Sequence, residues 1–203
     1  MRLSTFAQKA DEPTLHVVLT LAVAIGLQLS LSNTLSFGAK YTVAGIEGLL
    51  VIVLLLPSLG DAFKRLMAFI LMGLVCTANI VSLVLLVNIL VNGGAVAGKD
   101  LLVSSVAIYI TNIIVFGIVY WELDNNTVNV PDFNFAQFGD PREKSWRPTF
   151  FDYLYVSITN GTAFSPTDTL PLTHRAKALM TIQALAALMT VVLVTARAVN
   201  ILG

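Results

Sequence analysis

Residues 66–92, LMAFILMGLVCTANIVSLVLLVNILVN, contain no charged side chain from end to end. As a helix this stretch rises about 40 Å, more than the ~30 Å of a bilayer's hydrocarbon core. Four more stretches approach or reach spanning length: 15–32, 42–58, 101–121 and 178–196. The chain is 56% hydrophobic and only 12% charged, which exceeds what the core of a soluble domain this size requires. The pattern predicts an all-α integral membrane protein with about five transmembrane helices. The first stretch follows Asp11 and Glu12 and lacks a small-x-small cleavage site, so it reads as a helix and not as a secretory signal.

Three regions follow. Residues 1–121 form a four-helix transmembrane region, 122–149 a polar surface loop, and 150–203 a short helix, a polar segment and a last long helix. From Phe150, FFDYLYVSITN makes about three helical turns, too few to cross a bilayer, with Pro148 placed where a helix begins. Pro166 and Pro171 stop that helix from continuing. A short helix, an irregular polar segment and a spanning helix in that order describe a re-entrant loop, which needs a neighbouring chain or water to cover its backbone. The same pattern also fits an interfacial helix followed by a surface loop.

The segment FDYLYVSITNGTAFSPTDTLPLTHRAKALMTIQALAALM resembles the pore helix, filter and inner helix of tetrameric potassium channels over about the last 50 residues. Together with WELD at Trp121–Asp124 and WRP at Trp146–Pro148, it also resembles a group of uncharacterised bacterial membrane proteins with an ion-channel-like pore segment. That resemblance implies a bacterial inner-membrane location, a homo-oligomer with a tetramer first, and a monovalent or divalent cation as the ligand. It places Thr162, Ala163, Phe164, Ser165, Pro166, Thr167 and Asp168 in the filter and pore loop. Gln183, Arg197 and Asn200 would line the inner helix.

The filter departs from the potassium signature, with AFSPTD standing in place of TVGYGD. Ser165 and Thr167 replace glycines, whose backbone freedom a carbonyl ladder uses, and Pro166 fixes its own φ and restricts Ser165. Selective potassium conduction is therefore not expected. Asp168 has two readings: a cap on local backbone amides in a Pro-Thr-Asp turn, or one member of a cation-attracting ring. The expected function is an ion-channel-like pore, poorly selective or closed at rest. The alternative is a non-conducting oligomeric scaffold that keeps the pore architecture.

Charge gives a conflicting orientation. With the N-terminus inside, Arg2, Lys9, Lys64, Arg65, Arg142, Lys144, Arg147, Arg175 and Lys177 are cytoplasmic and Lys40, Lys99 and Arg197 external, whereas a potassium-channel pore loop enters from outside. A pore inverted in the membrane reconciles the two. Polar residues inside the spans are Glu47, Asn79, Ser82, Asn88, Thr111 and Asn112, which read as helix-joining groups or, for Glu47, as an interfacial or transport carboxylate. Cys76 stands alone, and His16 and His174 have no ligand-spaced partner, so no cofactor or metal site is expected. The hydroxyls lack a nearby His base and a nucleophile elbow, and the formal net charge is zero. Neither an enzyme nor a nucleic-acid-binding protein is expected.

Overall fold

The computed structural model describes residues 14–36, 40–56, 60–93, 96–125, 131–139, 146–163 and 169–202. Its helices are α1 (Thr14–Ser30), α2 (Lys40–Leu55), α3 (Asp61–Asn92), α4 (Gly98–Asn125), α5 (Phe150–Gly161) and α6 (His174–Leu202). Strands β1 (Phe133–Phe135) and β2 (Thr169–Pro171) flank α5 in sequence, and short 3-10 turns cover Asn33–Leu35 and Ala136–Gly139. Three helical segments are long and apolar enough to cross a membrane: Ile70–Asn92, Gly98–Asp124 and His174–Thr195. The apolar segments of α1 and α2, Val18–Ser30 and Tyr41–Val53, are shorter.

Helix α4 is the centre of the packing. Its most apolar window is 61% buried, against 33% for the segment in α3 and 17% for that in α6, and α1, α3, α5 and α6 all lean on it. Val18, Leu21, Leu71, Val75, Val115 and Ile118 form one core where α1, α3 and α4 meet. Leu31, Leu35, Leu86, Leu101 and Ile108 close the end where α4 begins, where the Ser32 amide also donates to Ser104 Oγ at 3.0 Å. At the other end of α4 the core is aromatic: Phe116, Tyr120, Phe133, Phe135 and Tyr153 meet, with neighbouring ring centroids 5.3–6.0 Å apart.

Several boundaries differ from the sequence pattern. Helix α4 carries Glu122–Asp124 as helix, so the polar loop starts later than residue 122. Helix α5 begins at Phe150, as expected, and the Asp152 carboxylate accepts from the Thr149 amide at 2.6 Å and its hydroxyl at 2.7 Å, making Thr149 the cap and leaving Pro148 outside the helix. The polar regions also contain strand. β1 and β2 pair antiparallel, Phe133 with Pro171 and Phe135 with Thr169, so the chain is mostly helical with a two-stranded ribbon and not purely helical. Gly93 ends α3 at φ 78°, as the Gly-Gly turn predicts; Gly94 lies outside the described residues.

Candidate functional site

Helix α5 runs antiparallel to α4 along one ridge. Trp121 meets Phe150 edge to face at 6.1 Å, Gly117 faces Leu154, the Ile113 carbonyl accepts from Ser157 Oγ at 2.6 Å, and Tyr109 Oη donates to the Gly161 carbonyl at 3.1 Å. Steps of four residues on α4 thus match steps of three or four on α5. A Cβ at Gly117 would stand 3.2 Å from Leu154 Cα, so any larger residue would push the two helices apart by a few tenths of an ångström. Twelve residues of helix rise about 18 Å, and α5 therefore ends near the middle of α4.

Ala163 has φ 60°, a left-handed conformation that costs a residue with a Cβ about 1 kcal/mol. By Thr169 the chain has returned to pair with β1, beside the aromatic core at the end where α5 began. The start of α5 and the β1–β2 ribbon are thus at one end of α4, and the tip of α5 is at mid-length.

A buried polar network locks this arrangement to α6. Gln183 is fully buried; its Nε2 donates to the Ser157 carbonyl at 3.0 Å and hydroxyl at 2.7 Å. Its Oε1 accepts from Tyr120 Oη at 2.6 Å and from Asn160 Nδ2 at 2.8 Å, and Asn160 also donates to the Met180 carbonyl at 2.9 Å. Each member satisfies another, which is the condition for a polar network to rigidify a packed interior.

A second network ties the ribbon to the helix ends. Asp132 is fully buried and accepts from Arg175 Nε at 2.8 Å and Nη2 at 2.7 Å, a forked pair, and from the Thr173 hydroxyl. The Asp132 amide donates to Asp124, whose second oxygen accepts from Tyr153 Oη at 2.6 Å. Burial, and then the negative charge of Asp124, push the Tyr153 phenol above the usual tyrosine range.

The tip of α5 opens on a groove of about 830 Å³ between α4, α5, β2 and α6. Thr162 and Ala163 line one side, with Lys177, Thr181, Leu185 and Leu188 of α6 among the residues opposite. Of the residues the sequence assigned to a filter, Thr162 and Ala163 reach this groove, while Phe164, Ser165, Pro166, Thr167 and Asp168 lie outside the described residues. Gln183, expected on a pore-lining face, is buried within the chain, where its amide completes the network with Ser157, Asn160 and Tyr120. Arg197 and Asn200 are placed on the last turns of α6, and their side chains are outside the described residues.

Sequence reasoning did not single out Asn160, Tyr120, Asp132 or Tyr153 as site residues. Among the described residues no group of three or more His, Cys, Asp and Glu side chains is placed to hold a metal ion. No known protein family, curated protein or solved structure compared with the chain matches it.

Proposed function

We propose that this chain is an ion-channel-like, pore-forming protein of the bacterial inner membrane, acting as a homo-oligomer with a tetramer first. The observation that carries the reading is the course of α5: a half-length helix that starts at one end of α4, where the β1–β2 ribbon also lies, and ends beside a groove at mid-length. A helix C-terminus carries the negative end of the helix dipole, so the α5 tip favours a cation in that groove. Residues Phe164–Asp168 would complete the pore loop, and the Ser165-Pro166-Thr167 sequence argues against potassium selectivity.

A second reading, a non-conducting oligomeric scaffold, draws support from the burial of Gln183. With that amide turned inward, the groove face of α6 below Thr181 presents Leu185, Leu188 and Val191, an apolar face that offers a cation no ligand. Cation flux into liposomes, recorded with the oligomeric state of the same sample, separates the two. Flux in an oligomer that falls with Asp168→Asn supports the pore, whereas a folded oligomer silent under varied voltage and pH supports the scaffold.

A further inference from the structure

The α1–α2 pair encloses one carboxyl group. Glu47 of α2 is fully buried, and its side-chain partner among the described residues is the Gln28 carboxamide of α1, 3.0 and 3.2 Å from its two oxygens. The amide nitrogen faces Glu47 and donates to the carboxyl oxygens. A carboxylate taken out of water with one neutral amide as its side-chain partner among the described residues is disfavoured, and the neutral carboxyl is the favoured form.

We propose that Glu47 is a proton-binding site, held as a neutral carboxyl against Gln28 inside the α1–α2 pair. A metal ion is disfavoured because hard cations take about six or more oxygen ligands, and one carboxyl with one amide is far short of that. The helices packed on α2 are α1 and α3. Their titratable or charged residues are His16 on α1 and Asp61, Lys64, Arg65 and Cys76 on α3, with Lys40 and Tyr41 on α2 itself. His16 is twelve residues from Gln28, about 18 Å along the helix, and is too distant to be the partner. Lys64 and Arg65 provide the competing arrangement, an ion pair with an ionised Glu47.

Infrared difference spectra of the full chain in detergent or lipid at neutral pH, wild type against Glu47→Gln, distinguish the two. The proposal expects a protonated-carboxyl stretch in the wild type that shifts in heavy water and is lost in the variant. Absence of that band in folded wild-type protein overturns it in favour of the ion pair. If Glu47→Gln does not fold, wild-type protein labelled with ¹³C-glutamate gives the same test: one neutral carboxyl signal persisting at pH 7 supports the site, and all glutamates ionised overturns it.

Discussion

The Gln183 side chain of α6 donates to both the backbone oxygen and the hydroxyl of Ser157 on α5, at 3.0 and 2.7 Å. One amide therefore holds the half-length helix against the last long helix. Gln183→Leu keeps the volume roughly but leaves Tyr120, Asn160 and the Ser157 carbonyl with fewer partners in a dry interior. Each buried orphan costs about 1–3 kcal/mol, so a loss of about 3 kcal/mol is expected, read as a lowered midpoint in detergent unfolding. A Gln183→Leu protein with unchanged stability and altered conductance would instead place this side chain on a water-filled axis.

Gly117 is expected to be intolerant for a geometric reason. A Cβ there meets Leu154 Cα at 3.2 Å, and backbone cannot swing aside as a side-chain tip does. Gly117→Ala should destabilise by about 1–3 kcal/mol through overpacking. Gly73, in the middle of α3, has nothing within 4 Å of the same position, so Gly73→Ala should stabilise by up to about 1 kcal/mol through helix propensity alone. Equal effects at the two sites would contradict the close α4–α5 approach.

The Asp132–Arg175 pair and the Tyr153–Asp124 contact predict two separable effects. Removing the guanidinium in Arg175→Leu leaves the fully buried Asp132 carboxylate without its counter-charge. Because Arg175 is 51% exposed, the expected cost is about 2 kcal/mol, below the roughly 3–5 kcal/mol of fully buried pairs. Tyr153 gives the pH dependence. Its folded pKa is raised, so its contribution is whole below the unfolded value of about 10 and declines as pH rises above it, where only the unfolded phenol ionises. Wild-type stability should fall more steeply above pH 10 than that of Tyr153→Phe; parallel curves would show the phenol to be solvated.

What could be read in advance follows from the range of each interaction. The apolar stretches, the Gly93 turn and the short helix from Phe150 rest on local chemistry, and each is present within a few residues of its expected place. The β1–β2 ribbon depends on a partner across α5, and three-residue strands have too little periodicity to announce it. The face of α6 was equally hidden. A helix apolar on all sides carries no stripe to show which side turns inward, so Gln183 read as a pore residue when its burial depends on Ser157, Asn160 and Tyr120. Arg175 entered only as a charge to be counted, because its partner Asp132 lies across a loop whose path no local rule fixes.

Thr181 offers the sharpest probe of the groove. It is exposed, lines the same groove as Thr162 and Ala163, and its hydroxyl donates within its own turn to the Lys177 carbonyl at 2.8 Å. Thr181→Cys in a Cys76→Ser background should therefore fold with stability within about 0.5 kcal/mol of its parent, as substitutions away from buried features do. If the groove carries cations, a positively charged thiol reagent at Cys-substituted position 181 should abolish liposome flux, and the same reagent should leave the Cys76→Ser parent unaffected. Full labelling with undiminished flux would move the permeation path off this face of α6 and would count against the pore reading of the α5 tip.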